Sequence, residues 1–299
     1  MNIMDMARNS NARLRALLNR TSVEITAGST DKITVLKDNF KTDMDIHVTS
    51  LTTDTARQTV TMARVLRLSG FNPVPHLAVR GIESREALND FLARLTGEAG
   101  VHRVLVIAGD RFKPSGPFSE SLAVLRTGLL QSHGISSVAV AGHPEGHPNV
   151  RAQIMDKALL EKAAHAQANG LNLDIITQFA FEAGPIVDYV ARLRAMQVDA
   201  PIRVGVAGPA NLMTLVRYGM RCGIGNSLRA LRQQTGRIGR LSEDTPPDAL
   251  LSEIVRGTGQ IDGTGIGGFH FYVFGGLRKT GTWLNATLRA LATESDSFT

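Results

Sequence analysis

Four residues able to do acid, base or hydrogen-bonding chemistry sit at the C-terminal ends of short apolar runs: Glu24, Asp110, His143 and Gln178. A carboxylic acid can hand over a proton, a carboxylate can stabilise a cation, and a carboxamide can donate and accept at once. His143 and His147 have the i, i+4 spacing of paired metal ligands, but Pro144, Gly146 and Pro148 prevent the helix that would bring both rings to one face. No third ligand presents itself, so no metal site is expected. The glycine-rich stretch Gly263-Thr-Gly-Ile-Gly-Gly268 resembles a dinucleotide loop in composition only. That loop follows a strand and opens a helix, whereas this stretch precedes an apolar run, which suggests a flexible approach into a strand. A Gly-x-Ser-x-Gly elbow, a Walker loop and a Cys-x-x-Cys pair are all absent from the sequence, so hydrolase, phosphoryl-transfer and thiol-redox readings have no starting point.

The elements that must position these residues alternate in type. Ser22–Thr26, Asp45–Ser50, Pro73–Val79, Arg103–Gly109, Ser137–Gly142, Leu173–Gln178, Ile202–Ala207 and Phe269–Phe274 are rich in Val and Ile and too short for helices. Between them lie segments of period 3.6, among them Thr55–Leu68, Arg85–Leu95, Phe118–Gln131 and Pro185–Met196, most opened by a Ser, Thr or Asp cap or a first-turn Pro. Continuous strand–helix alternation implies right-handed parallel crossovers, and eight such units in about 250 residues is the size of a (β/α)8 TIM barrel. A doubly wound open sheet is the competing arrangement. The expectation is an α/β fold with a single catalytic barrel domain over 1–299, an N-terminal helix over 1–20, an elaborated excursion between strands seven and eight (Gly223–Arg256), and a frayed tail over 294–299.

Of the 299 residues 43% are hydrophobic, enough for a full core. No apolar run is long enough for a membrane span, and Asp5, Arg8, Arg13 and Arg15 interrupt the N-terminal stretch, so neither a membrane partner nor a secretory signal is expected. The single cysteine, Cys222, permits no internal disulfide and no zinc cluster; it reads as a small buried hydrophobe in a cytoplasmic protein. Net charge is +6, with Arg217, Arg221, Arg229, Arg232, Arg237 and Arg240 close together. These arginines lack interleaved aromatics, which argues against nucleic acid; a solvated helical face, or attraction of a small anion such as a polyglutamate tail or dinucleotide phosphates, accounts for them.

The strings Ala141-Gly-His-Pro-Glu-Gly-His-Pro148, Ile175-Ile-Thr-Gln-Phe-Ala-Phe181 and Gly268-Phe-His-Phe-Tyr272, with Pro75-His-Leu77 and Ala108-Gly-Asp110, resemble methylenetetrahydrofolate reductases, in order from about Val23 to Tyr272. The resemblance implies reduction of 5,10-methylenetetrahydrofolate to 5-methyltetrahydrofolate by NAD(P)H, NADH favoured, normally through bound FAD. It places the family's strand-one glutamate on Glu24 as proton donor to N10, opening the imidazolidine ring to a 5-iminium cation. Asp110 falls on the aspartate that stabilises this cation and binds the pterin, although a Gly-Asp after a strand is also simply a good turn. Gln178 and Tyr218 fall on substrate-binding positions, Tyr218 as a stacking aromatic that could equally be a core residue. Thr49, His76, Gly109, Asp110, His143, His147, Asp156 and Gln178 fall on cofactor-binding positions.

The departures lie mostly on the flavin side. Ala108 replaces the arginine before Gly-Asp, removing a cation and its donors. His143 replaces a tyrosine and Leu159 an asparagine, and Lys162 is only a candidate for the family's flavin-binding lysine because the stretch from Asp156 to Gln178 is longer than the family pattern. Each lost charged hydrogen bond forfeits about 1.5–3 kcal/mol, so FAD binding is weakened and direct hydride transfer from NAD(P)H stands beside the FAD-mediated ping-pong cycle. On the folate side Thr214 replaces a glutamine and Gly276 an arginine, with Arg278 two residues later available for the glutamate tail. A catalytically silent folate-binding homologue and a pterin-dependent methyltransferase barrel remain as alternatives.

Overall fold

The computed structural model describes residues 3–28, 30–51, 54–222, 224, 244–261 and 265–296. Eight parallel strands close into a barrel in the order β1–β10–β7–β6–β5–β4–β3–β2, surrounded by helices, which is the TIM-barrel fold. The barrel strands are β1 (Ser22–Thr26), β2 (Asp45–Thr49), β3 (Asn72–Ala78), β4 (Arg103–Ile107), β5 (Ser137–Gly142), β6 (Asn172–Thr177), β7 (Ile202–Ala207) and β10 (Gly268–Tyr272). Contacts within the chain define two compact units, one comprising Ser22–Gly142 and Arg151–Ile176, the other Met1–Thr21, His143–Val150 and Thr177–Thr299. We refer to them as the β1–β5 unit and the β7–β10 unit.

In the β1–β5 unit the helices α2 (Lys32–Asn39), α3 (Ala56–Leu68), α4 (Arg85–Ala99) and α7 (Ala152–Ala168) start and stop where local chemistry dictates. Thr55 and Gln58 form a capping box at the start of α3, and Ser84 accepts from the Ala87 amide at the start of α4, each satisfying a donor that the first turn leaves unpaired. The expected helix Phe118–Gln131 is instead two short pieces, α5 (Ser121–Leu125) and α6 (Leu129–Ser132). Gly128 between them has a left-handed φ of 73°, and the Thr127 hydroxyl donates to the Val124 carbonyl at 2.7 Å, so the chain turns where periodicity alone would run on. Strand β4 ends at Ile107, two residues before Gly109.

The inner face of this unit is layered. At the strand starts, Arg103 on β4 donates to Asp45 on β2 at 2.6 Å and lies 3.8 Å from Asp174 on β6. Beyond this ion pair, Val74, Leu105, Ala139 and Ile176 pack together from four successive strands. Residues from four neighbouring strands can meet only on the inner side of a closed sheet.

In the β7–β10 unit, α1 (Ile3–Leu18) packs on the helix Asp248–Thr258 and on the C-terminal helix Leu277–Asp296, and α8 (Ala183–Ala195) packs on the helix Asp248–Thr258 as well. The connection after β7 contains a two-residue strand, β8 (Ala210–Asn211), paired antiparallel with β9 (Asp244–Thr245), a short bridge that the sequence pattern did not suggest. The helix α9 (Leu212–Arg221) follows β8 directly, capped by the Asn211 side chain accepting from the Thr214 amide at 2.9 Å. Arg217 and Arg221 are exposed on α9; Arg229, Arg232, Arg237 and Arg240, with most of the expected excursion, lie outside the described residues. Among the described residues no helix is long and apolar enough to cross a membrane.

The described part of the glycine-rich stretch leads into β10, as its order in the sequence suggests, and its glycines serve packing. A Cβ on Gly268 would sit 2.5 Å from the Arg20 carbonyl oxygen. Arg194 donates to the carbonyls of Gly265 at 2.7 Å and Ala200 at 3.1 Å, and to that of Val198, tying the approach to β10 to the approach to β7. Gly268→Ala is therefore expected to cost about 1–3 kcal/mol through overpacking against backbone. Gly97→Ala, in α4 with nothing within 4 Å of the added Cβ, is expected to gain roughly 0.5–1 kcal/mol. Urea denaturation midpoints of the two variants, moving in opposite directions from wild type, check both values.

Candidate active site

Glu24 occupies the middle of β1, half-buried between the fully buried Val23 and Ile25. Strand alternation turns it to the opposite side from those two residues, and the β1–β2–β3 ladder pairs Glu24 with His47 and His47 with Val74, a member of the inner apolar layer. Glu24 is therefore an inner-face carboxyl group. Thr49 lies two residues beyond His47 on the same face, and its hydroxyl donates to the Ile25 carbonyl at 3.3 Å. His76, 7% exposed, lies two residues beyond Val74 on β3.

A cleft of about 220 Å³ opens where the chain leaves β2, β3 and β4. Three of the residues expected at a cofactor, His76, Gly109 and Asp110, line it together. Gly109 has a φ of 86°, and a Cβ there would come within 2.9 Å of the Ala78 Cβ, so this corner requires glycine on both counts. Asp110 follows in a bend and is exposed. Asp156, half-buried on α7, and Thr49 belong to the same unit but do not line the cleft.

Two cations that sequence reasoning missed, Arg80 and Arg111, line this cleft. Arg80 is a clamp. Its guanidinium donates to the Ser119 carbonyl at 2.9 Å and the Arg111 carbonyl at 3.3 Å, while its backbone pairs with Ala108 and Ser115. Arg111 is exposed and donates to Ser115 Oγ at 3.3 Å. No signal in the sequence marked them, because a long side chain's reach depends on how the loop after β4 folds back over β3.

The donor set fits a flavin poorly. The residue before Gly109 offers only the Ala108 methyl group, two of the five Arg80 donors are taken by loop carbonyls, and Leu159 is 5% exposed in the packing of α7. The cleft also falls below the roughly 300–1,000 Å³ usual for a whole drug-sized ligand, so by itself it suits one ring or one phosphate-bearing fragment. Lys162 does not line the cleft; burial lowers its pKa, with the nearby Glu120 carboxylate opposing the shift.

The β7–β10 unit carries the remaining expected residues. The Gln178 amide donates to the Cys222 carbonyl at 2.9 Å, at the end of α9. Thr214 lies in the first turn of α9, and Arg278 is exposed in the first turn of the C-terminal helix. Tyr218 stacks on Phe274 with centroids 4.1 Å apart and planes 13° from parallel, within a cluster that includes Phe179, Phe181 and Tyr272. His143 and His147 meet edge to face at 5.5 Å across a turn in which Gly146 has a φ of 83°. The half-buried Cys222 packs against the aromatic cluster, close to its expected role as a small hydrophobe.

A parallel α/β barrel with a carboxyl group on the inner face of its first strand and a cleft at the strand ends is a TIM-barrel scaffold. The family model for methylenetetrahydrofolate reductase matches residues 22–224, and the chain belongs to the methylenetetrahydrofolate reductase family. A curated relative, 5,10-methylenetetrahydrofolate reductase of Pectobacterium carotovorum subsp. carotovorum, is 27% identical over 150 residues, which are 50% of this chain and 48% of that protein. The matched region thus spans about half the length of that relative. Among solved structures, a xylose isomerase domain protein from Planctomyces limnophilus aligns with a TM-score of 0.44 and 13% identity, over 92% of this chain and 98% of the other.

Lys162 supplies a pH test of the packing around α7. Its folded pKa is lowered, so between that value and the ordinary lysine value of about 10.4 the unfolded chain binds more protons. Stability therefore rises with pH across that window and the penalty is fully present below it. Lys162→Met is expected to raise the thermal midpoint at neutral pH and to flatten the alkaline rise, as read from melting curves in buffers spanning the window.

Proposed function

We propose that the protein interconverts 5,10-methylenetetrahydrofolate and 5-methyltetrahydrofolate, with NAD(P)H as hydride donor and Glu24 as general acid. The observation that supports this reading is an inner-face carboxyl group on β1 in a chain of this family; the role of proton donor comes to Glu24 from the resemblance of its strand to the family's first strand. Glu24 donates its proton to N10 of the folate, and the ring opens to the 5-iminium cation. A hydride from the dihydronicotinamide then adds to the exocyclic carbon, giving the methyl group and NAD(P)+. The net reaction consumes one proton and one hydride. Asp110, exposed at the cleft, stabilises the cationic iminium; Gln178 and Tyr218 bind substrate, and Arg278 meets the glutamate tail.

Direct transfer is the preferred route because Ala108 and Leu159 stand where the resemblance leads one to expect donors to a flavin, and Arg80 has part of its capacity tied to loop carbonyls. It requires nicotinamide and folate bound together with the reacting carbons in contact. The conventional FAD-dependent cycle is the second reading, supported by the presence of Thr49, His76 and Gly109. The visible absorption spectrum of the purified protein, with and without added FAD, alongside folate-dependent NADH oxidation, separates the two. Colourless protein whose activity is indifferent to FAD supports direct transfer; activity that tracks FAD occupancy overturns it. Protein with no folate-dependent oxidation under either condition overturns the reductase reading itself.

Glu24→Gln is expected to lower kcat by about 10²–10⁴-fold with KM for the folate nearly unchanged, because shape survives and only proton donation is lost. Steady-state kinetics check this, and retained turnover would remove Glu24 from the role of acid. Asp110→Asn is expected to lower kcat by roughly 10²-fold at unchanged stability. A destabilised variant with wild-type specific activity would identify Asp110 as a turn residue.

A further inference from the structure

Two buried imidazoles meet on the inner face of the β1–β5 unit. His47 is 1% exposed and His76 is 7% exposed. His47 Nδ1 lies 3.2 Å from His76 Nε2, with the ring centroids 5.4 Å apart and the planes at 72°. One proton occupies such a gap: one nitrogen donates and the other accepts, and two imidazolium rings would set two N–H groups head to head. Titratable groups facing His47 within this unit include Glu24, its ladder partner on β1, and His76 on β3. On its own strand Asp45 is held by Arg103 at 2.6 Å. His76 also lines the cleft beside Gly109 and Asp110, so the pair connects the row that holds Glu24 to the cleft wall.

We propose that His47 is a positioning residue that fixes the ring plane and tautomer of His76, and thereby sets the sense of the hydrogen bond that His76 offers to the heterocycle of a redox nucleotide in the cleft. A neutral imidazole carries one N–H. If His47 donates, His76 is the Nδ1–H tautomer; if His47 accepts, His76 is the Nε2–H tautomer. The carboxamide of a nicotinamide and the imide edge of a flavin each combine donors and acceptors, so either meets a wall whose sense has been chosen in advance. The assignment rests on reading the cleft as a nucleotide site, and the test separates the two.

The experiment is a two-bond proton–nitrogen spectrum of the histidine rings in ¹⁵N-labelled full-length protein from about pH 6 to 9, followed by equilibrium binding of NADH and of FAD to wild type, His47→Leu and His47→Asn. Wild type is expected to show single, complementary tautomers for His47 and His76. His47→Leu is expected to leave His76 in mixed tautomers and to weaken, by about tenfold, whichever nucleotide the wild type binds. His47→Asn, whose amide can donate or accept near the lost Nδ1, is expected to restore affinity to within about twofold of wild type. Mixed tautomers in wild type, or wild-type affinity in His47→Leu, overturn the proposal. Should His47→Leu not fold, the wild-type spectrum and the His47→Asn affinity decide it. If wild type binds neither nucleotide, the ligand assignment is overturned, while the spectrum still reports whether the two rings fix one another.

Discussion

The parallel register of β1, β2 and β3 is the constraint on which the candidate site depends. Glu24 pairs with His47, and His47 with Val74, so the carboxyl group, the buried imidazole and the apolar layer share one row of the inner face. Side chains in a strand alternate with a period of two, and a slip of one residue would turn Glu24, His47 and His76 out toward the helices and Val23, Ile25 and Val48 inward. The buried aliphatic residues on the helix side oppose that slip, since Val23, Ile46 and Val48 are almost completely buried there. The hydrophobic pattern of the outer face thus sets the chemistry of the inner one.

That inner face handles polarity by pairing it. The Arg103 guanidinium near the strand starts meets Asp45 and Asp174, and the His47–His76 bond sits closer to the strand ends, with the Val74, Leu105, Ala139 and Ile176 layer packed among these groups. A buried ionic or imidazole group left without a partner costs more than a matched pair returns, so such pairs act as registry marks for the strands that supply them. The β7–β10 unit uses other means: the Tyr272 hydroxyl donates to the Thr177 carbonyl at 3.1 Å and the Gly205 amide donates to Thr177 Oγ1 at 2.8 Å.

Much of this architecture was legible in the sequence because strand and helix periods differ. Ser22–Thr26, Ser137–Gly142 and Ile202–Ala207 are strands from end to end, as their β-branched runs suggest. Ends were less legible, since β4 stops at Ile107 once the chain begins its turn toward the left-handed Gly109. The break at Gly128 was hidden because the surrounding leucines keep helical spacing through it. The β8–β9 bridge is too short to carry a period at all. In the site, Glu24, Asp110 and Gln178 stood out as polar residues ending apolar runs. His47 did not, because a histidine inside a strand reads as a satisfied core residue until its partner on the next strand is known.

The cleft takes its cations from side chains that reach it rather than from its glycine corner. Ala108 beside Gly109 brings no charge, while Arg80 and Arg111 bring two guanidinium groups to the same wall. The two are not equivalent. Arg80 places two of its five N–H donors, on Nε and Nη1, on the carbonyls of Ser119 and Arg111, so part of its hydrogen-bonding capacity holds the loop. Arg111 is exposed, where solvent screens a charge and the entropy of a long side chain opposes fixed geometry. Asp54, Glu83 and Asp110 line the cleft as well, and their carboxylates offset the attraction that the two arginines exert on a phosphate. With carboxylates and guanidinium groups mixed along one wall, the cleft presents hydrogen-bonding groups of both senses and no concentrated positive charge.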